Sequence, residues 1–528
     1  MVVNVSEYLH LAAESDPDGT ALVEVSVRPA VPSAGRRQLS WSDVDTAADA
    51  VARALTGRGL VAGQRVAIVM SNRADLPIAY FGILRGGMVA VPINPRSTAD
   101  EMRRMLEDAK AKVVLCDADS VGHVREAVRA HECEVVVDGP EPQNGEVSFD
   151  AFIGEAPDIN PVAPPDAESL AAILYTSGAS GQPRGVMLSH RALIANIEQA
   201  ASVSPPLVAR DDRVLGLLPM FHIYGLNAVL GVAVKAGAQV VMVDAFDPAG
   251  LLETVKAEGV TNLPLAPPVL AAWAGRDDVR AALSGVRVII SGASPLDPDL
   301  ASLFVASAGH PIEQGYGMTE ASPVVAVTLA SARDEGTPPK PGSVGHSLPG
   351  IEMRIVSDGD DVGPGDLGEI WIRGDNLFSG YWPDGTDGPN DDGWYATGDV
   401  GFADADGDLT IVDRLKELVI VSGFNVYPSE VEDVIGEVAG VSQVAVVGIP
   451  DEQTGEAVLA FVVPQPGAAT EDALVGAIEE HCRQRLARFK HPARIVVIED
   501  LPHSATGKVA KGQLRALARG DALNLGLA

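Results

Sequence analysis

YTSGASGQPRG, residues Tyr175–Gly185, is a run of hydroxyls and glycines that directly follows the apolar segment Ala171–Leu174. Glycines let a backbone turn tightly and bring its N–H groups close to an anion. The hydroxyls of Thr176, Ser177 and Ser180 add rotatable hydrogen-bond donors. The run is not a Walker A sequence, because no Lys-Ser or Lys-Thr pair closes it. It therefore predicts a strand that ends in a different kind of phosphate-binding loop.

Length and charge restrict the class of protein. A chain of 528 residues is expected to form two or three domains, and its net charge of −33 argues against nucleic acid or an anionic membrane surface as the main partner. The cysteines at 116, 133 and 482 lack metal-ligand spacing and fit a reducing compartment. The N-terminus lacks a signal-peptide pattern, and Lys235 and glycines interrupt the longest apolar region, Ala228–Val243. We expect a cytoplasmic protein without a transmembrane segment.

The periodicity predicts an α/β fold. Strand-like and helix-like runs alternate early in the chain, in the order Arg65–Met70, Leu76–Leu84, Met88–Ile93, Ala99–Ala109 and Lys112–Cys116. Such alternation is typical of β-α-β units with parallel sheets. Ser42 is predicted to cap a helix over Asp43–Leu55, and Gly139–Pro165 is predicted to be a loop or weak linker. After Gly363 short strands and turns predict a β-rich subdomain, followed by a final segment long enough for a small domain.

Six further stretches follow the phosphate loop in an order that resembles the adenylate-forming superfamily over nearly the whole chain. That superfamily comprises acyl-CoA synthetases, aryl-CoA ligases, luciferases and peptide-synthetase adenylation domains. The stretches are LPMFHIYG (Leu218–Gly225), SGASPL (Ser291–Leu296), QGYGMTE (Gln314–Glu320), GWYATGDVG (Gly393–Gly401), VDRLKELVIVSGFNVYPSEVE (Val412–Glu432) and LPHSATGKVAKGQLR (Leu501–Arg515). Their combination, in this order, is what makes the resemblance specific.

The resemblance implies a two-step ligase. A carboxylate attacks the α-phosphorus of ATP to give an acyl-adenylate and pyrophosphate, and a thiol then takes the acyl group and releases AMP. It also implies a large N-terminal adenylation domain over residues 1–414, built from β/α subdomains with parallel sheets and a β-rich subdomain. A small, mobile α+β domain over residues 415–528 would carry the catalytic lysine.

The resemblance also assigns nucleotide contacts. The β- and γ-phosphates would be held by Thr176, Ser177, Gly178, Ala179, Ser180, Gly181 and Arg184. The adenine and the acyl entrance would be lined by Gly292, Ala293, Ser294, Gly315, Tyr316 and Gly317. Thr319 would donate to the α-phosphate, and Asp399 and Arg414 would hold the ribose. Glu320, with Thr176 as a companion, would bind Mg²⁺, which prefers few carboxylates together with phosphate oxygens. Arg184 stands where the family more often has lysine, and Ala179 replaces a hydroxyl residue, which predicts a weaker hold on pyrophosphate.

The last stretches supply the mobile chemistry that the resemblance implies. Lys508 would be the essential cation of the first step, because a lysine that reaches both the carboxylate and the α-phosphate offsets charge in the transition state. Lys416 would be the hinge between the two poses of the C-terminal domain. In the second pose Ser422, Gly423 and Phe424 would approach the pantetheine arm of CoA, and the glycine would permit close passage past the backbone.

The acid is predicted to be apolar. Residues His222, Gly292, Gln314, Gly317 and Met318 are expected to line its pocket. The stretch Gln314–Glu320 has no arginine for a second carboxylate, and Pro219–Gly225 has no acidic residue for an amino group. A medium- or long-chain fatty acid is favoured. A 4-coumarate-like aryl acid, a fatty acyl-AMP ligase that loads an acyl carrier protein, luciferase-like oxidation and a nucleotide-binding protein without activity remain alternatives. The sequence leaves the oligomeric state open.

Overall fold

The computed structural model describes residues 2–26, 36–130, 133–139, 142–143, 145–159, 161, 166–177, 183–331, 337–415, 417–421, 424–451, 454–468, 470–503 and 508–524. Within these ranges the strands are β1 (Thr20–Val25), β2 (Arg37–Ser40), β3 (Arg65–Val69), β4 (Val89–Pro92), β5 (Val113–Asp117), β6 (Glu134–Asp138), β7 (Val147–Ser148), β8 (Leu170–Ser177), β9 (Pro183–Ser189), β10 (Arg213–Gly216), β11 (Gln239–Val243), β12 (Asn262–Leu265), β13 (Val288–Ser291), β14 (Glu313–Gly317), β15 (Val324–Val327), β16 (Ser343–Ser347), β17 (Glu352–Ser357), β18 (Asp360–Asp361), β19 (Gly368–Arg373), β20 (Tyr395–Ala403), β21 (Leu409–Arg414), β22 (Val419–Val421), β23 (Phe424–Val426), β24 (Val441–Asp451), β25 (Gly455–Pro464) and β26 (Arg494–Val497).

The α-helices in the same ranges are α1 (Glu7–Ser15), α2 (Trp41–Gly57), α3 (Asp75–Arg85), α4 (Ala99–Ala109), α5 (Val121–Ala127), α6 (Phe149–Gly154), α7 (His190–Ala201), α8 (Val232–Ala236), α9 (Pro248–Ala257), α10 (Pro267–Trp273), α11 (Val279–Ala282), α12 (Pro298–Ala308), α13 (Pro428–Gly436), α14 (Glu471–Arg485) and α15 (Lys511–Asn524). A π-helix covers Tyr224–Gly231, immediately before α8. The mixed α/β architecture predicted from the periodicity is confirmed.

The phosphate-loop sequence joins two strands of a seven-stranded sheet with the order β7-β6-β5-β3-β4-β8-β9. The strands from β7 to β8 pair in parallel, whereas β8 and β9 form an antiparallel hairpin at the edge. In that hairpin Thr176 pairs with Arg184. The hairpin therefore presents the two ends of the loop at one point of the sheet edge.

The second sheet changes from parallel to antiparallel strand pairing at β14. Its order is β18-β17-β19-β20-β21-β16-β15-β14-β13-β12-β10-β11-β1-β2. Strand β14 pairs in parallel with β13, where Gln314 lies opposite Ser291, and antiparallel with β15. Ligands of α/β proteins bind at the carboxyl ends of parallel strands. The ends of β13 and β14 therefore bring the SGASPL and QGYGMTE stretches side by side.

The C-terminal segment has a sheet and cores of its own. Strands β23-β22-β25-β24 form this sheet, and β26 pairs with β25. One apolar cluster, which includes Val431 and Ile478, packs α13 and α14 on the sheet. Another, which includes Phe461 and Leu514, packs α15 on it. A separately packed C-terminal domain is consistent with the predicted division at 414/415, which stays a prediction.

Two local predictions were wrong. Ser40, and not Ser42, caps α2: its hydroxyl accepts from the N–H of Asp43 at 3.1 Å, and the Asp43 carboxylate accepts from the N–H of Ser40 at 2.9 Å. This reciprocal capping box satisfies two N–H groups at once, which a cap at Ser42 would not. The stretch 139–165 is also not all loop, because it contains β7 and α6, whose Phe149 and Phe152 are buried.

The described part of the chain includes no helix that combines the length and the apolar character needed to cross a bilayer.

A buried histidine at the start of α7 predicts a loss of stability in acid. His190 is 3% exposed, its Nδ1 accepts the N–H of Val5 at 3.2 Å, and burial lowers its pKa to about 4. An unfolded histidine has a pKa near 6.5, so this contribution is full above pH 6.5 and is lost as the pH falls towards 4. When the pH falls from 7.5 to 5, we expect protonation linked to His190 to lower the free energy of unfolding by about 2 kcal/mol. Denaturant titrations of wild type and His190→Gln would measure it, and equal pH dependence in both would contradict the assignment.

Candidate active site

The wall predicted to enclose the adenine and the acyl entrance lies at the end of β13. The N–H of Gly292 donates to the carbonyl of Leu265 at 3.0 Å. A Cβ at Gly292 would lie only 2.7 Å from the ring of Tyr224, so glycine is needed for this ring to pack on the backbone. Ala293 follows with φ of 72°, a left-handed conformation that is strained for alanine, and Ser294 is half-buried. The wall is therefore a fixed backbone surface.

The predicted residues Gln314, Gly315, Tyr316 and Gly317 lie together on β14, and Met318 follows them. The N–H of Gln314 donates to Oγ1 of Thr328 at 2.9 Å. A Cβ at Gly317 would lie 2.1 Å from the carbonyl oxygen of Pro323, which no side chain could tolerate without a backbone shift. The N–H of Met318 donates to that same carbonyl at 3.0 Å. The chain is thus folded back on itself directly before Thr319.

Three buried asparagines hold the turn that follows Glu320. Their side-chain amides donate to backbone carbonyls within 321–324: Asn196 at 2.7 Å, Asn227 at 2.6 Å and Asn376 at 2.8 Å. The three come from α7, from the π-helix and from the segment after β19. Sequence reasoning missed them, because an isolated asparagine carries no motif. They fix the backbone on which the predicted metal ligand stands.

Glu320 is buried, with 8% exposure, on a short 3₁₀ turn that also carries the buried Thr319. Tyr381 donates its hydroxyl to Oε1 of Glu320 at 2.6 Å. Among the residues that the structure describes, Oε2 of Glu320 accepts no hydrogen bond. Burial and this carboxylate raise the pKa of Tyr381, so its phenol stays a donor at neutral pH. A buried carboxylate with one oxygen available fits a hard divalent cation.

The basic residue of the phosphate loop contacts the same tyrosine as this carboxylate. Arg184 Nη2 donates to Oδ2 of Asp387 at 2.6 Å, and its guanidinium lies 3.6 Å from the centre of the Tyr381 ring. Thr176 pairs with Arg184 across the hairpin. The predicted phosphate and metal residues are therefore brought to one place. The remaining loop residues, Gly178, Ala179, Ser180 and Gly181, and the side chain of Ser177 lie outside the described residues.

The predicted adenine and ribose residues are joined to each other. Tyr316 donates its hydroxyl to Oδ2 of Asp399 at 2.5 Å, and Asp399 is 4% exposed. Asp399 on β20 pairs in register with Arg414 on β21, although the side chain of Arg414 lies outside the described residues. The bond orients the Tyr316 ring and holds the Asp399 carboxylate. Sequence motifs alone did not indicate this direct contact.

His222 and Lys508 lie close enough for their charges to interact. Nδ1 of His222 accepts the N–H of Tyr224 at 3.3 Å, which requires an unprotonated nitrogen. Burial, and then the positive charge of Lys508, lower the pKa of His222 to about 4. The imidazole is therefore neutral at physiological pH. The lysine of the C-terminal segment therefore lies within electrostatic range of one residue of the predicted acyl pocket.

The other predicted C-terminal residues are only partly described. Lys416, Ser422 and Gly423 lie outside the described residues. Phe424 begins β23, is 56% exposed and stacks on Phe489 with ring centres 4.9 Å apart. The structure does not bring Phe424 into contact with the residues around Glu320.

Known proteins resemble this chain over nearly its full length. The family model for the AMP-binding enzyme matches residues 9–382, and that for the AMP-binding enzyme C-terminal domain matches residues 430–508. 4-Coumarate–CoA ligase 3 of Oryza sativa subsp. japonica is 34% identical over 94% of this chain and 90% of its own. A long-chain-fatty-acid–CoA ligase of Salmonella typhimurium is 33% identical over 89% and 88%. The ATP-bound structure of MatB from Rhodopseudomonas palustris superposes with a TM-score of 0.86, at 30% identity over 98% and 99%.

Proposed function

The chain belongs to the AMP-binding enzyme family and is an AMP-forming acid–CoA ligase, and on that premise we propose that it activates a medium- or long-chain fatty acid with ATP and Mg²⁺. An aryl acid is the second candidate, because the relatives include ligases named for 4-coumarate as well as for long-chain fatty acids. ATP and CoA are the cosubstrates. A cytoplasmic location, where both are abundant, belongs to the same proposal.

The observation that carries the proposal is that Lys508 lies near enough to His222 for its charge to lower the pKa of the imidazole. In the first half-reaction an oxygen of the acid attacks the α-phosphorus of ATP and the bond to pyrophosphate breaks. Negative charge accumulates on the α-phosphate oxygens and on the leaving group. An ammonium beside the acyl carboxylate offsets that charge and holds the two reactants together. The position of Lys508 supports adenylate formation as the first half-reaction.

Glu320 and Thr176 would hold Mg²⁺ through hard oxygen atoms, and the ion would neutralise phosphate charge. The chain's own residues supply the rest. The Arg184 guanidinium binds the outer phosphates, Asp399 accepts from the ribose hydroxyls, and Thr319 donates to the α-phosphate. The fixed wall at Gly292 keeps water away from the mixed anhydride.

The preference for an apolar acid follows from charge. Lys508 is required at the reacting carboxylate, and a dicarboxylate would need a second cation at the far end of the pocket. His222 cannot supply it, since its pKa of about 4 leaves the ring neutral at pH 7. The other predicted lining residues, such as Gln314 and Met318, are uncharged.

Product analysis by mass spectrometry tests the substrate class. With ATP, Mg²⁺ and CoA we expect acyl-CoA and AMP from saturated fatty acids, with kcat/KM at least about tenfold higher than for 4-coumarate or benzoate. Malonate is expected to give no product above background. A higher kcat/KM for an aryl acid would replace the fatty acid with the second candidate. Acyl-adenylate that accumulates although CoA is present would instead identify a carrier protein as the acceptor.

A further inference from the structure

Tyr381 lies outside every motif that indicated the function, yet it contacts two residues of the site. It belongs to the sequence SGYWPDG, residues Ser379–Gly385. Its hydroxyl donates to Oε1 of Glu320 at 2.6 Å, and its ring lies under the guanidinium of Arg184 at 3.6 Å. The side chain of Tyr381 therefore joins Glu320, whose carboxylate is suited to a divalent metal ion, to Arg184, whose guanidinium is suited to the phosphates.

The surroundings of Tyr381 restrict its motion. Phe378 packs edge-on against the rings of Tyr381 and Tyr395, with ring centres 5.1 Å apart in each pair. The side chain of Tyr395 also interacts electrostatically with that of Tyr381. A tyrosine with fixed ring and fixed hydroxyl is suited to orient its neighbours.

Arg184 depends on this ring because of its shape. A guanidinium is planar and stacks on an aromatic face, whereas a lysine ammonium makes no such planar contact. Asp387, in the turn that follows Tyr381, accepts a hydrogen bond from the same guanidinium and restrains it further. Arginine in place of the lysine typical of the family thus matches the presence of Tyr381 beneath it.

We propose that Tyr381 is a positioning residue for the metal and phosphate end of the nucleotide. Its hydroxyl holds Glu320 so that Oε2 is left for the cation, and its ring holds the Arg184 guanidinium beside the phosphate loop. Without the hydroxyl, Glu320 would sample other rotamers before each binding event, which lowers affinity for the metal–nucleotide complex. The proposal rests on the proposed function, since it requires a nucleotide bound with a divalent cation.

The test is Tyr381→Phe, which removes the hydroxyl and keeps the ring beneath Arg184. Calorimetry would measure the affinity of purified protein for α,β-methylene-ATP with Mn²⁺ and, separately, with EDTA. The ratio of the two affinities isolates the contribution of the metal. A hydrogen bond to a charged group predicts that this ratio falls about tenfold in Tyr381→Phe, while the affinity in EDTA stays at the wild-type value.

Tyr8→Phe is a matched control. Tyr8 donates its hydroxyl to Oε1 of Glu198 at 2.5 Å and lies beneath Lys235 Nζ at 5.0 Å from the ring centre, so it has the same kind of surroundings without any site residue. We expect wild-type affinities with and without Mn²⁺. Equal losses in both conditions for Tyr381→Phe would show a merely structural role and overturn the proposal, as would unchanged affinities.

The activity of wild type distinguishes failure of the proposed role of Tyr381 from failure of the proposed function. If wild type forms acyl-adenylate but the metal-dependent ratio does not change in Tyr381→Phe, only the role of Tyr381 is wrong. If wild type neither binds the nucleotide analogue nor forms adenylate with any acid, the proposed function is wrong and the role of Tyr381 is overturned with it.

Discussion

Lys508→Ala is expected to lower the rate of acyl-adenylate formation by about 100- to 1000-fold, the range seen when one preorganised charge or donor is removed from a transition state. The lysine is exposed, yet its charge acts on the half-buried His222 of the predicted acyl pocket. Its removal leaves the developing charge on the α-phosphate without its ammonium partner. Transfer of the acyl group from a supplied adenylate to CoA does not involve that charge and should stay near the wild-type rate.

Pyrophosphate release reports the first half-reaction, and thioester formation from synthetic acyl-adenylate reports the second. Lys256→Ala, an exposed lysine on α9, is the control for loss of a surface charge and should leave both rates unchanged. Equal losses of both half-reactions in Lys508→Ala would remove the lysine from its proposed role.

Lys416→Pro is expected to spare pyrophosphate release and to reduce thioester formation by about 100-fold or more, because proline locks φ at one value and prevents rotation there. Lys416 itself lies outside the described residues, but its two neighbours are held by different parts of the protein. The N–H of Leu415 donates to the carbonyl of Gly398 at 2.8 Å, and Glu417 pairs with Lys511 at 3.1 Å. Rotation of the C-terminal domain would therefore be concentrated at the single residue between these anchors.

Lys416→Ala is the matched control, since it removes the charge and keeps the backbone free. It should form thioester at close to the wild-type rate. Full turnover in Lys416→Pro would place the hinge elsewhere, whereas loss of pyrophosphate release would mean that the substitution damages the adenylating arrangement itself.

Local structure was predictable where the determinants are neighbours in the chain. The helix predicted over Ala99–Ala109 has those bounds, because Thr98 and Glu101 form a capping box at its start and Lys110 ends it in a left-handed conformation. The strand before the phosphate loop and the alternation of the first sheet were predicted for the same reason. The residues 139–165 were not, because α6 is stabilised by the contact of Phe149 and Phe152 with distant residues such as Arg58, which lies 4.3 Å from the Phe152 ring centre.

The sequence by itself determined the chemistry and the order of its parts. Hydroxyls and glycines at 175–185, the acidic residue at 320 and the lysine at 508 each stand within a short motif whose residue types state what they can bind. Such motifs are contiguous in the chain, so they can be recognised from the sequence without coordinates.

Only the tertiary structure determines which side chains from distant parts of the chain hold these motif residues in place. The contact of Tyr381 with Glu320 spans 61 positions, and that of Asn227 with the turn after Glu320 spans 95. Lys508 and His222 lie still further apart in the chain. No periodicity or propensity encodes such pairs, because they form only when separate sheets and domains pack and bury polar groups that must then find partners.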